Sequence, residues 1–189
     1  SRTLPDVLID LKNLGFVEST LVWDRGVSSK INIKEAKTAG FDVICGLALK
    51  GKVKDIAVRT VQGGHIATAQ NRVRLQSTTF YAKKMPYRHG DNNSGWLTVC
   101  FNEKQKQETK ERRYDEIDAA IGQITKKEPV KKKGILKYLD GTKIRYDRVN
   151  EAEKYDGISA IFSTKNLPAQ EIIKAYFEKH KATLPKRSE

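Results

Sequence analysis

Cysteine and histidine are scarce in this chain, with two Cys and three His among 189 residues. That scarcity excludes a disulfide framework, and no Cys/His spacing of the zinc type occurs. Cys45 ends the apolar run Val43-Ile44-Cys45 and Cys100 the run Leu97-Thr98-Val99-Cys100, so each thiol reads as a small buried hydrophobe. No apolar stretch approaches the roughly 20 residues that span a bilayer, and Ser1-Arg2-Thr3 does not open a signal peptide. A reducing, cytoplasmic setting with no membrane partner is expected. Acidic residues are in the minority: 23 Asp and Glu face 36 Lys and Arg, a formal charge of +13. Such an excess favours a polyanion such as nucleic acid, the alternative being a solvated basic surface with no partner.

What is present is a chain able to fold. Hydrophobic residues make up 38%, including two Trp, seven Tyr and six Phe, which is enough apolar area for one core carrying an elaboration. Thr3-Leu4-Pro5-Asp6 caps a helix whose Val7, Leu8, Leu11 and Leu14 recur at helical spacing. Thr20-Leu21-Val22-Trp23 has the length of a buried strand, which puts Asp24 of Asp24-Arg25-Gly26 at its C-terminal edge. Ser28 or Ser29 caps a helix from Lys30 to Ala39, with Ile31, Ala36 and Ala39 near one side, and Phe41 to Leu47 is a second buried strand. Helix, strand, helix, strand implies parallel pairing through crossovers.

From about residue 50 the tight alternation stops. Asp55 to Thr60 and Ile66 to Leu75 mix apolar with basic residues, as a half-exposed strand pair would. Leu97, Val99 and Phe101 alternate ahead of a charged helix from about Glu103 to Ile124, whose stripe is Tyr114, Ile117, Ile121 and Ile124. Residues 135–146 spell a hairpin around Asp140-Gly141, 157–163 a further strand, and Asn166-Leu167-Pro168 opens a final helix. Trp23 and Trp96 read as core. The expected class is mixed α/β: 1–50 a first core part, 51–154 a β-rich insertion with one long helix, and 155–189 a return to the core.

Leu21-Val22-Trp23-Asp24-Arg25-Gly26-Val27-Ser28 and the run Asn32 to Ile44 resemble the middle of DDE-type transposases of bacterial and archaeal insertion sequences. The resemblance extends through Thr3-Leu4-Pro5, Trp96 to Asn102, Lys154-Tyr155-Asp156-Gly157-Ile158 and Leu167 to Tyr176, which is most of the chain. It implies a ribonuclease H-like core interrupted by an insertion, acting on DNA at transposon ends, with oligomerisation possible in the active complex. It also implies two aspartates and a glutamate holding a pair of Mg2+ or Mn2+ ions. Hard cations take such oxygen ligands, and two of them about 4 Å apart promote an in-line displacement at phosphorus. Asp24 is the catalytic and metal-binding candidate, and Arg25 would lie near the scissile phosphate.

The sequence departs from that pattern twice. The chain is expected to begin after the strand that would carry the first aspartate, since Asp6 and Asp10 read as helix residues. On the last helix the family's Tyr-x-x-basic-x-x-x-Glu pattern fits Tyr176 and Lys179 but meets Thr183 where the glutamate belongs, and Glu178 faces elsewhere, about 140° around the helix. The residues from Lys181 to Glu189 leave the helical pattern. By itself the chain is therefore expected to be inactive, and a non-catalytic basic nucleic-acid-binding protein is the alternative reading.

Candidate phosphate contacts are Arg25, Arg59, Arg72, Arg74, Lys83, Lys84, Arg88 and Lys179, together with Lys126, Lys127, Lys131, Lys132 and Lys133. Phe80, Tyr81 and Tyr87 are candidates for stacking on unpaired bases. His65 and His89 read as loop residues rather than ligands, and Gly63-Gly64 lacks the strand-to-helix setting of a phosphate loop.

Overall fold

The computed structural model describes residues 3–16, 18–91 and 93–179. Ser1, Arg2, His180, Thr183 and the rest of the 181–189 tail lie outside them. The chain divides into two compact units, one formed by residues up to Phe101 and from Ser159 onward, the other by Asn102–Ile158. No helix among the described residues is long and apolar enough to cross a membrane.

The first unit is a mixed α/β layer. Helix α1 (Leu4–Asn13) begins where the Thr3 N–H and hydroxyl both donate to the Asp6 carboxylate. Strand β1 (Thr20–Trp23) pairs in parallel with β2 (Asp42–Leu47) through helix α2 (Lys30–Thr38), as the alternation of elements predicts. The Ser29 hydroxyl caps α2 by accepting from the Asn32 amide at 3.0 Å, and Gly40 ends the turn that follows in the left-handed region at φ 85°. β1 is a half-exposed edge strand, not the buried one expected, because it lies at one end of a six-stranded sheet and has β2 as its one neighbour. In α2, Ile33 and Ala36 are buried while Ile31 is 68% exposed, so the inward face is turned from the one expected.

Residues 55–60 lie in a helix, α3 (Gly51–Gln62), which corrects the expected strand. Its buried positions are Val53 and Ala57, four apart, and this single apolar face outweighs the local alternation around Val58 and Arg59. Of the stretch 66–75 only β3 (Arg72–Leu75) is a strand, and it pairs antiparallel with β4 (Thr78–Arg88), which pairs in turn with β5 (Ser94–Phe101). Strand β8 (Ile158–Ser163) lies between β5 and β2, antiparallel to β2. Helix α6 (Ala169–Glu178) covers one face of this sheet, sealing a core of Ile44, Phe80, Ala82, Cys100, Ile161, Ile172 and Ile173. The strands of the expected insertion thus continue the sheet that β1 and β2 begin. Trp23 and Trp96 are half-buried rather than core.

The second unit is built on α4 (Glu103–Thr125), capped by Asn102 Oδ1 on the Gln105 amide at 2.9 Å. Ile117 of the expected stripe packs on Ile135, Tyr138, Leu139 and Val149 together with Ala120, which lies outside that stripe, while Tyr114, Ile121 and Ile124 are partly buried against the same cluster. The expected hairpin is shorter than its apolar pattern: β6 (Leu139–Asp140) and β7 (Lys143–Ile144) flank a turn with Gly141 at φ 58°, while Lys133–Tyr138 is a 3-10 helix. Helix α5 (Tyr146–Glu153) follows directly and takes up Tyr146. Inside this unit Arg113 and Asp156 are 8% and 7% exposed, and the guanidinium Nη2 donates to Asp156 Oδ1 at 2.5 Å.

Candidate functional site

Asp24 leaves β1 at its C-terminal end, where ligand-binding residues of parallel α/β pairs cluster. Its backbone is held by the turn that follows: the Ser28 hydroxyl and the Val27 amide both donate to the Asp24 carbonyl, at 2.9 and 3.2 Å. Asn32 of α2 ties that turn down by donating to the Val27 carbonyl at 2.8 Å. The side chain points outward and is 61% exposed.

The last helix comes to meet it. Lys179 Nζ lies 2.8 Å from Asp24 Oδ1, donates to the Tyr176 carbonyl at 3.2 Å and rests 4.0 Å from the centroid of the Tyr176 ring. Lys179 is itself 14% exposed, so its stem is packed and its head reaches out to the carboxylate. Tyr176 stands over Gly46 of β2, and Arg25 closes against the same glycine: a Cβ at Gly46 would clash with the Tyr176 hydroxyl and lie 2.9 Å from both Tyr176 Cζ and Arg25 Cγ. A glycine inside a buried strand marks such a close approach. Burial raises the Tyr176 pKa; the charges of Lys179 and Arg25 oppose that rise and Asp24 adds to it, so the hydroxyl stays protonated at neutral pH.

Behind Asp24, Cys45 is fully buried beside Ser28 and Trp23, and burial pushes its thiol up to about 11, too high for a nucleophile at neutral pH. A groove of about 560 Å3 runs between Val22, the α6 residues Glu171, Lys174, Ala175 and Glu178, and Lys179 just beyond them. Glu178 borders it, yet its carboxylate accepts from Gln76 Nε2 at 3.1 Å rather than turning to Asp24.

The other basic candidates divide among several surfaces. Val73 and Leu75 pack toward the core under α6, so Arg72 and Arg74 point to the opposite face, where register adds Tyr81 and Lys83. Lys83 and Arg59 line one groove of about 780 Å3 with the C-terminal end of α3. Arg88 is exposed at the end of β4 and, by alternation, faces the other way from Lys83. Lys84 is engaged internally: its ammonium donates to Asn166 Oδ1 at 2.7 Å and the Leu167 carbonyl at 2.5 Å, and lies 4.9 Å from the Trp96 ring centroid. In the second unit, Lys126, Lys127, Lys131, Lys132 and Lys133 are exposed, and Lys132 pairs with Glu116 at 2.6 Å.

Of the aromatic candidates, Phe80 is buried and stacked on Phe177 at 4.7 Å, which removes it from any base-stacking surface. Tyr87 packs beside His89 and Phe162, and burial together with the Lys30 charge holds His89 below its usual pKa. His65 is an exposed loop residue with φ 43°.

Fold and site together define a mixed α/β protein with a carboxylate at a strand end, paired with a lysine at the end of its last described helix that rests on that helix's tyrosine. No family model, curated protein or solved structure matches the chain.

Proposed function

We propose that this chain is the part of a DDE-type insertion-sequence transposase catalytic domain that carries the second aspartate, Asp24, and that it binds DNA. The observation that supports this most is the meeting of Asp24 with Tyr176 and Lys179, the two residues that fit the Tyr-x-x-basic pattern of the transposase helix. The parallel β1–β2 pair with Asp24 at its C-terminal edge suits a ribonuclease H-like core, whose sheet the strands between 72 and 101 would extend and to which 159–179 would return. Arg25 beside Tyr176, and Arg72, Arg74, Lys83 and Arg59 on the opposite face, offer cations to DNA phosphates.

The family's Mg2+ or Mn2+ pair asks for three carboxylates. No cluster of three His, Cys, Asp or Glu side chains with ligand geometry occurs among the described residues, and an ammonium sits on Asp24 Oδ1. This donor set does not fit the ions, so metal-assisted strand cleavage and transfer belong to the complete domain. The same lysine on Asp24 favours a second reading, a non-catalytic basic protein that binds nucleic acid through its charge.

Fluorescence anisotropy with duplex DNA over a salt series tests the binding. The expected result is affinity that falls steeply with salt, as counterion release requires. Absent or salt-insensitive binding would remove both readings. Incubation with supercoiled plasmid and Mg2+ separates them from an active nuclease: no cutting is expected, and cutting that Asp24→Ala abolishes would show a competent site.

A further inference from the structure

The face of the first unit's sheet that turns away from α6 carries an aromatic ring set among cations. Phe80 and Ala82 of β4 and Val73 and Leu75 of β3 turn toward α6, so the residues alternating with them, Arg72, Arg74, Tyr81 and Lys83, stand on the opposite side. Register fixes how they meet. Arg72 is the cross-strand partner of Tyr81 on β3, and Phe101 is its partner on β5. Such partners share a face with their Cβ atoms about 5 Å apart, and successive residues of that face follow at about 7 Å along a strand. Tyr81 therefore has a guanidinium beside it and one further cation a step away in each direction, Arg74 one way and Lys83 the other.

Tyr81 is half-buried, so its ring is held, yet among the described residues it makes no ring contact and its hydroxyl no hydrogen bond. Phe80 and Tyr87, by contrast, are taken up by Phe177 and Phe162. Arg72, Arg74 and Lys83 are exposed and have no acidic partner among the described residues. Beyond Lys83 the face runs into the groove of about 780 Å3 under α3, where Ile56, Val58 and Met85 are the apolar lining, Arg59 and Lys83 the charged one, and no acid borders it. Apolar surface between cations suits a ligand that is flat and apolar along one edge and anionic along the other.

We propose that this sheet face binds an unpaired strand of DNA, with one base stacked on Tyr81, a further base in the groove beside Met85, and phosphates on Arg72, Arg74 and Lys83. The proposal rests on the reading of the chain as a DNA-binding protein and adds the strand state of the DNA. In a duplex each base has its faces covered by its neighbours, whereas an unpaired base offers a face to the tyrosine. Stacking and phosphate contacts are both tolerant of sequence, so no base preference is implied.

The test is fluorescence anisotropy of the full chain with a short labelled oligothymidine. Tyr81→Ala should weaken binding about tenfold or more, the loss of one stacked base, and Tyr81→Phe, which keeps the ring, should bind within about twofold of wild type. Melting curves check the fold of both variants. Arg72→Gln/Arg74→Gln should reduce the slope of log affinity against log salt by about 1.4, which is about 0.7 for each lost phosphate contact. An oligomer carrying bromodeoxyuridine should photocrosslink the peptide that contains Tyr81, a readout that needs no variant. Unlabelled single strand should displace the labelled one better than duplex does at equal nucleotide concentration. If duplex binds in a salt-dependent way while Tyr81→Ala holds the single strand as tightly as wild type, this proposal falls and the DNA-binding reading stands; binding of neither form removes both. Better displacement by duplex or by an RNA strand also overturns the proposal.

Discussion

The Lys179 ammonium joins the end of β1 to the end of α6 by lying 2.8 Å from Asp24 Oδ1 and 4.0 Å from the Tyr176 ring centroid. The geometry is good but the carboxylate is 61% exposed, so solvent screens most of the attraction. A double-mutant cycle of Asp24→Ala and Lys179→Ala, read by urea denaturation, should give a coupling of less than about 1 kcal/mol. A coupling several times larger would mean that Asp24 is a structural residue of this fold rather than one held at the surface for a ligand.

Gly46 makes a sharper demand. A methyl group there meets the Tyr176 hydroxyl and, at 2.9 Å, both Tyr176 Cζ and Arg25 Cγ, so α6 or the Arg25 turn has to move. Gly46→Ala should lower stability by about 1–3 kcal/mol, the usual range for overpacking. Removing the ring with Tyr176→Ala should relieve much of that loss, so the two changes together should cost less than their sum. Strict additivity in denaturation would show that the glycine and the tyrosine do not press on each other.

Burial governs both thiols. It pushes Cys45 up to about 11 and Cys100 to about 12, against an ordinary value of 9.0. Neither should react with a disulfide reagent in the native protein at pH 8, and both should react after denaturation. The same shifts set a pH dependence. Between about pH 9 and 11 the unfolded chain has released thiol protons that the native chain still holds, so stability falls as pH rises through that window. Replacing Cys45 by Ala should flatten this fall, and rapid native labelling of Cys45 would contradict its burial.

How much of this was legible depended on the length scale of each signal. Thr20–Trp23, Asp42–Leu47, the α4 stripe and the capped start of α1 were readable because each is written in neighbouring residues. α3 was not: basic residues between its apolar ones imitate strand alternation, and the pair Val53 and Ala57 stands out only once the sheet buries it. Asp24 could be placed at a strand end, and resemblance singled out Tyr176 and Lys179, but no spacing in the chain says that the lysine reaches the aspartate. Gly46 was the one local clue to that meeting, as a glycine inside an apolar strand run. Lys84 looked like its basic neighbours, and only the loop before α6 turns it into an internal tether.

The buried pair in the second unit should be the costliest to break from one side. Arg113 and Asp156 are both more than nine-tenths buried, and each is the other's charge partner. Asp156→Ala leaves the guanidinium desolvated without its carboxylate, which should cost about 3–5 kcal/mol. Replacing both at once, Arg113→Met with Asp156→Leu, removes the unpaired charge along with the pair and should cost far less, since the desolvation of two ions disappears with them. Because both residues belong to 102–158, the single variant should speed hydrogen exchange at the α4 amides more than at those of β2. A small loss for Asp156→Ala, or a double variant as unstable as the single one, would mean that Arg113 finds its compensation elsewhere, as from Tyr138.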